Sequence, residues 1–259
     1  MAKTDFRFYA ELNYFLSPSK KQVTFAHFFQ EHPSIKDTIE SLGVPHPEVN
    51  SILVNGESVD FSYQVQDGDT IAVYPISQSP DIEPIISLQP PPLAVARFVL
   101  DIHLGKLANS LRMLGFDTLY RNDYGDEELA YISSTQERIL LTRDLRLLMR
   151  SIVTYGYYVR STNPQRQIVE VLSRFDLLKS VTPFQRCIRC NGLLESVSKE
   201  SIIEQLPPLV RQDVDEFHRC IECRQIYWKG THVEKMQEWI DEVLNSQPEN
   251  TMTETPQLD

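Results

Sequence analysis

The chain has 259 residues, 41% of them hydrophobic and 24% charged, with a formal net charge of −11 at pH 7. That composition is ordinary for a soluble globular protein, and the length accommodates one or two domains with real cores or three small ones. No apolar run reaches the roughly 18 residues of a membrane span, and "MAKTDFRFYAEL" lacks a signal-peptide core, so a cytoplasmic protein with no membrane partner is expected.

In chain order, "FRFYAELNYFL" and "QVTFAHFF" read as two β-rich runs joined by the turn "SPSKK". "SIKDTIESLG" predicts a helix with Ile35, Ile39 and Leu42 at helical spacing and Gly43 as its stop. Asn55-Gly56 in "SILVNGES" predicts a tight turn between strands, and "DGDTIAVYP" a further strand. This order predicts a β-grasp domain over residues 1–76. The "VNGE…DGDTIAVYP" ending resembles the ubiquitin-like sulfur-carrier proteins, which act through a C-terminal Gly-Gly activated as an adenylate. Here Pro75 leads onward with no Gly-Gly, so that chemistry is expected to be absent, leaving a packing module or a docking site for a protein partner. Residues 77–94 form a linker whose core, "SQSPDIEPIISLQPPPL", holds five prolines and no Lys or Arg. It reads as an extended, polyproline-like tether that leaves the first domain separable.

Beyond it the period changes. "ARFVLD" (96–101), "DTLYR", "RILLT" (138–142) and "YGYYVRS" read as strands. They alternate with helices in "LGKLANSLRMLG" (104–115), "DEELAYISSTQ", "LRLLMRSIV" and "PQRQIVEVLSRFDLL". The first of these helices buries Leu104, Leu107, Ala108, Leu111 and Leu114, and the last is capped by Asn163 before Pro164. Alternation of this kind predicts a parallel α/β sandwich over residues 95–182, in which ligands bind outside the carboxyl ends of the strands.

Asp101 and Asp144 each stand at such a strand end, and Asp126 opens a helix at the same rim. Three carboxylates at one rim repel unless a divalent cation holds them, and hard oxygen ligands suit Mg2+ or Mn2+. A metal so held activates water for attack on a phosphodiester. Asp126 also reads as a helix N-cap, and Asp123, Glu127 and Glu128 are alternatives for the middle acid. Lys106, Asn109 and Arg112 recur at i, i+3, i+6 off the leucine stripe, and Arg143 flanks Asp144. They are candidate phosphate contacts or a solvated face. Charge distribution admits an RNA partner: residues 1–90 carry 5 Lys+Arg against 12 Asp+Glu, whereas residues 91–180 carry 12 against 10.

All four cysteines fall in two pairs, "CIRC" (187, 190) and "CIEC" (220, 223), separated by 29 residues. Two such knuckles complete a tetrahedral Zn2+ site, predicting a structural zinc ribbon over residues 183–235 held by Cys187, Cys190, Cys220 and Cys223. In "YWKGTH" (227–232), Tyr227 and Trp228 either cover that site or stack a base, with Lys229 and His232 near phosphate. The rest of the chain, 236–259, reads as a helix end and an acidic disordered tail.

Together, "LDIHLGKLANSLRMLGFDTLY", "DEEL", "RILLTRD", the paired CxxC knuckles and "YWKGTH" resemble the Mut-seven C-terminal RNase family. That is a branch of the PIN-like nucleases carrying a zinc ribbon, and the N-terminal domain looks like the ubiquitin-like module fused to bacterial members. The resemblance covers about residues 95–235. It implies metal-dependent RNA cleavage, with the family's acids mapped onto Asp101, Asp126 and Asp144. A fourth acid, present in many PIN nucleases, is not obvious here. The competing readings are a non-catalytic RNA-binding or adaptor protein with a vestigial nuclease fold, and a phosphotransfer protein. Against the latter, the haloacid type needs Asp-x-Asp where this chain has Asp101-Ile102-His103, and receiver domains have no zinc ribbon.

Overall fold

The computed structural model describes residues 1–228 and Glu238. Lys229, His232 and, Glu238 apart, the expected tail 236–259 lie outside the described residues. The chain divides into two compact units, Met1–Ala108 with Asp117–Ser161, and Asn109–Phe116 with Thr162–Asp259.

The first unit begins with a mixed five-stranded sheet. Strands β1 (Ala2–Phe8) and β2 (Phe25–Phe29) pair antiparallel, with Phe6 opposite Phe25. Helix α1 (Ile35–Ser41) starts where the Ser34 hydroxyl accepts the Asp37 N–H, a short polar cap on an orphan donor. Strands β3 (Ser51–Val54) and β4 (Glu57–Val59) turn at Asn55-Gly56, both with positive φ, which matches the right-handed twist of a hairpin. Strand β5 (Thr70–Tyr74) then runs parallel to β1, giving the order β2-β1-β5-β3-β4 of a β-grasp domain. Phe6, Phe8, Ile35, Ile39, Ile52, Ile71 and Val73 close its core.

The expected run "FRFYAELNYFL" is strand only to Phe8; Ala10–Phe15 is a 3₁₀ turn. Asn13 explains the break, since its amide donates to the carbonyls of Phe8 and Ala10 and competes with a strand ladder. The proline-rich segment is not a free tether either. The Ile86 N–H meets Ser58 Oγ, the Leu88 N–H meets the Asn50 carbonyl, and Leu88 packs on the domain core.

The chain continues through β6 (Arg97–Leu100), α2 (Gly105–Met113), β7 (Asp117–Leu119), α3 (Asp126–Thr135), β8 (Ile139–Thr142), α4 (Leu145–Leu148) and β9 (Gly156–Tyr158). The four strands are all parallel in the order β7-β6-β8-β9. Every strand residue of β8 is buried, as a sheet covered on both faces demands. The five residues expected on the α2 stripe are each at most 1% exposed. Helix α4 is one turn, shorter than the expected "LRLLMRSIV". The Arg138 guanidinium, at the foot of β8, pairs with Asp117 at the foot of β7, 2.8 Å away.

In the second unit, α5 (Pro164–Arg174) is capped by Asn163, whose side chain accepts the N–H groups of Gln165 and Arg166. A three-stranded antiparallel sheet follows, in the order β10-β11-β12, from β10 (Leu194–Val197), β11 (Phe217–Cys220) and β12 (Ile226–Trp228). Helix α6 (Pro208–Asp213) lies in the connection between β10 and β11. Ile202, Leu206 and Phe217 form the small core there, with Trp228 packed against them. Gly115, just beyond α2, has φ +96°, and a Cβ there would stand 2.1 Å from the Thr182 carbonyl oxygen. No helix among the described residues is long and apolar enough to cross a membrane.

Candidate functional site

The strand order puts β6 and β8 side by side although β7 lies between them in sequence. The chain therefore leaves β6 toward one side of the sheet and later crosses to the other. Crevices for ligands open at such a reversal, outside the carboxyl ends of the two strands. Asp101 directly follows β6 and Asp144 lies two residues past β8, so both acids belong to that end of the switch point.

Thr142 ties them together. Its hydroxyl donates to Asp101 Oδ2 at 2.9 Å, and the same oxygen accepts the Asp144 N–H at 2.9 Å. Asp101 is 7% exposed and Thr142 fully buried, so this contact is shielded from competing water. The exposed Asp144 uses Oδ1 to cap α4, accepting from Arg146 N at 2.7 Å and Leu147 N at 3.3 Å. Asp101 Oδ1 and Asp144 Oδ2 carry no hydrogen bond among the described residues. Each carboxylate thus has one oxygen anchored by hydrogen bonds and one that is not.

Asp126 occupies the exposed first turn of α3, and its helix is capped at Gly125 without a side-chain bond. Asp123, an alternative middle acid, is bound by the Arg121 guanidinium at 2.8 Å, which holds its carboxyl below the usual range; Glu128 stands 3.7 Å from the same guanidinium. Glu127 is exposed on that turn. Asp101, Asp126 and Asp144 do not form a convergent ligand cluster. Among the described residues the four cysteines are the only group of three or more His, Cys, Asp or Glu that does. The donor chemistry of Asp101 and Asp144 still suits Mg2+ or Mn2+, since Mg2+ is commonly held by one or two carboxylates with waters and substrate phosphates.

Two expected phosphate contacts make hydrogen bonds within the protein. Arg112 is 4% exposed, and its guanidinium donates to the carbonyls of Ile188 at 2.9 Å and Arg189 at 3.3 Å, inside the first cysteine knuckle. Arg143 Nη1 donates to the carbonyls of Val159, Arg160 and Ser161, each at 2.8 Å. Arg112 is therefore not on a solvated face, and Arg143 is half-buried. Lys106 and Asn109 are exposed on α2.

The four Sγ atoms lie within 4.8 Å of one another, with Cys187–Cys223 at 3.5 Å and Cys190–Cys220 at 3.4 Å. A tetrahedral zinc–thiolate centre with Zn–S of about 2.3 Å has S···S edges of about 3.8 Å, so the set fits a zinc ion. Tyr227 Oη lies 3.0 Å from Cys187 Sγ and donates to it when the sulfur is a thiolate. Burial pushes the Cys187 thiol up, but hydrogen bonds, first from Tyr227, outweigh it and bring the group to about 7. Burial pushes Cys190 to about 12. Tyr227 therefore packs over the sulfurs and Trp228 over the ribbon core.

Residues 96–240 match the family model of the Mut7-C RNAse domain. The chain belongs to that family. Residues 1–81 match the Mut7-C ubiquitin model, so this Mut7-C protein carries a ubiquitin-like domain ahead of its RNAse domain. No curated protein matches the chain. A solved structure, the crystal structure of H. volcanii small archaeal modifier protein 1, is similar at 18% identity, covering 29% of this chain and 98% of that one, with a TM-score of 0.24.

The sequence pattern did not single out Thr142, which links the two acids. Its signal was available: a β-branched hydroxyl closing a buried strand one residue before the Arg-Asp pair.

Proposed function

We propose that this Mut7-C protein is a ribonuclease that hydrolyses RNA phosphodiester bonds at the carboxyl ends of β6 and β8. One observation carries the reading: Asp101 and Asp144 flank the switch point of a parallel sheet and are joined through a single buried hydroxyl. Asp101 and Asp144 would hold a Mg2+ or Mn2+ ion, which supplies an activated water and charge stabilisation at the leaving oxygen. The chain's own residues do the positioning. Thr142 fixes the orientation of the Asp101 carboxyl, and the α4 cap fixes that of Asp144. Asp126 acts at the same rim as a third acid. Lys106 and Asn109 meet the RNA backbone, with Lys229 and His232 as further contacts from the ribbon. The zinc, having four thiolates and no open position, holds the ribbon and takes no part in cleavage.

A second reading is an RNA-binding or adaptor protein with a vestigial nuclease site. It draws support from Asp126, which does not converge with the other two acids. One experiment separates them: incubate the full chain with single- and double-stranded RNA in Mg2+ or Mn2+, with and without EDTA, beside Asp101→Asn. Cleavage that EDTA and the substitution both abolish supports the nuclease. RNA binding without cleavage in either ion rejects it.

A further inference from the structure

Strand β9 is an edge of the parallel sheet, and an edge strand presents backbone N–H groups that have no ladder partner. The N–H of Tyr158 is taken instead by the ubiquitin-like domain, where Glu48 Oε1 accepts it at 2.8 Å. The other oxygen, Oε2, meets Arg160 Nη2 at 2.7 Å, with the two side chains 2% and 18% exposed. The Arg160 guanidinium lies over the rings of Tyr14 at 5.7 Å and Phe15 at 5.2 Å from the ubiquitin-like domain, and of Tyr157 at 5.1 Å from β9. His46 adds a contact in the turn that precedes β9, with Nε2 2.9 Å from the Val153 carbonyl.

The turn bearing Glu48 is itself clamped. Gln89, in the proline-rich segment, donates its amide to the carbonyls of Pro47 at 3.0 Å and Val49 at 2.6 Å, one on each side of Glu48. That segment is therefore a strap that holds the docking carboxylate in place. Beyond β9, the carbonyls of Val159, Arg160 and Ser161 converge on Arg143 Nη1. Arg143 sits between Thr142 and Asp144. Glu48 thus holds the Arg160 side chain, the Arg160 carbonyl holds the Arg143 guanidinium, and Arg143 is itself the middle residue of the Thr142–Asp144 turn.

Resting on the ribonuclease reading above, we propose that the ubiquitin-like domain is a built-in support of the active-site rim, with Glu48 as the positioning residue that fixes the Arg143–Asp144 turn. Removing either partner leaves the other charge buried without its counter-ion, which is strongly destabilising. The domain then works where it is docked, without a conjugated or activated terminus.

The test uses the full chain with Glu48→Ala and the isosteric Glu48→Gln, read by amide hydrogen exchange over 142–148 and 51–59, zinc content, and RNA cleavage kinetics. In Glu48→Ala the 142–148 amides are expected to exchange about tenfold faster while 51–59 and the zinc are unchanged. The value of kcat falls about tenfold at nearly constant KM, as expected when a reacting group is misplaced and binding is kept. Glu48→Gln keeps an acceptor for Tyr158 but not the charge facing Arg160, and gives a smaller change in the same direction. Unchanged 142–148 exchange in a folded Glu48→Ala protein overturns the proposal. Should that variant lose protection at 51–59, Glu48→Gln decides, and an unaltered rim there overturns it equally. If the wild-type chain cleaves no RNA, the ribonuclease reading fails while the exchange results still judge the support.

Discussion

The hydroxyl of Thr142 holds the carboxyl of Asp101 through a 2.9 Å hydrogen bond in which both residues are buried. Replacing Thr142 by Val keeps the shape and removes the donor. A buried acceptor left unsatisfied costs about 1–3 kcal/mol, and Thr142→Ser should recover most of it. Urea unfolding of the two variants checks the difference. Equal stability of Val and wild type would show that the contact contributes nothing.

Asp144 caps α4 and also presents one oxygen to the rim, and two substitutions separate these roles. Asn caps as well as Asp, so Asp144→Asn should melt within about 0.5 kcal/mol of wild type. Its cleavage rate should fall by about 10² or more, the scale of losing a group that stabilises the transition state. Asp144→Ala should lose the cleavage and about 1 kcal/mol of stability as well. Melting curves and a Mn2+-dependent cleavage assay on both proteins decide it; full cleavage by the Asn variant would leave Asp144 a cap alone.

Zinc should be present at about one ion per chain, in keeping with four convergent thiolates. Cys187→Ser or Cys220→Ser should release it and unfold the ribbon, because metal binding and folding share one free energy in such modules. Elemental analysis and the dispersion of the ribbon's NMR signals report the two events. Stoichiometric disulfides in freshly purified protein would contradict the assignment.

Gly115→Ala should be severely destabilising. The positive φ disfavours any L side chain, and the new Cβ would meet the Thr182 carbonyl oxygen at 2.1 Å, a backbone atom that cannot rotate away. The expected loss exceeds about 1 kcal/mol, the size of the gain that Gly→Ala brings where the backbone admits a side chain. Gly125→Ala, with nothing within 4 Å of its added Cβ, is the control. Comparable melting temperatures for the two would show that the α2 terminus yields.

Local pattern carried much of this molecule. The spacing of Leu104, Leu107, Leu111 and Leu114 identifies the buried side of α2, and the CxxC pairs identify the sulfur cluster, because both are written within a few residues. Arg112 departs from its expected place for a related reason. Spacing places it off the leucine stripe, yet its long side chain reaches carbonyls 76 residues further along. Periodicity reports where a Cβ points and not where a guanidinium ends. The same limit hides Glu48: nothing in "HPEVN" reveals the arginine, 112 residues further on, that pairs with it. The 3₁₀ turn at Ala10–Phe15 escapes a reading from composition because Phe and Tyr favour strands, while one asparagine amide decides the backbone locally.

The Glu48–Arg160 pair has a consequence for synthesis on the ribosome. Its partners are 112 residues apart, so at about 5–20 residues per second Glu48 emerges roughly 6 to 22 s before Arg160 exists. Through that interval the nascent β-grasp domain completes its own sheet but must keep the Glu48 carboxylate hydrated, with Phe15 facing water or a chaperone. The docking side of the N-terminal domain is thus transiently sticky, and the arrival of β9 both quenches it and ends the window for mispairing.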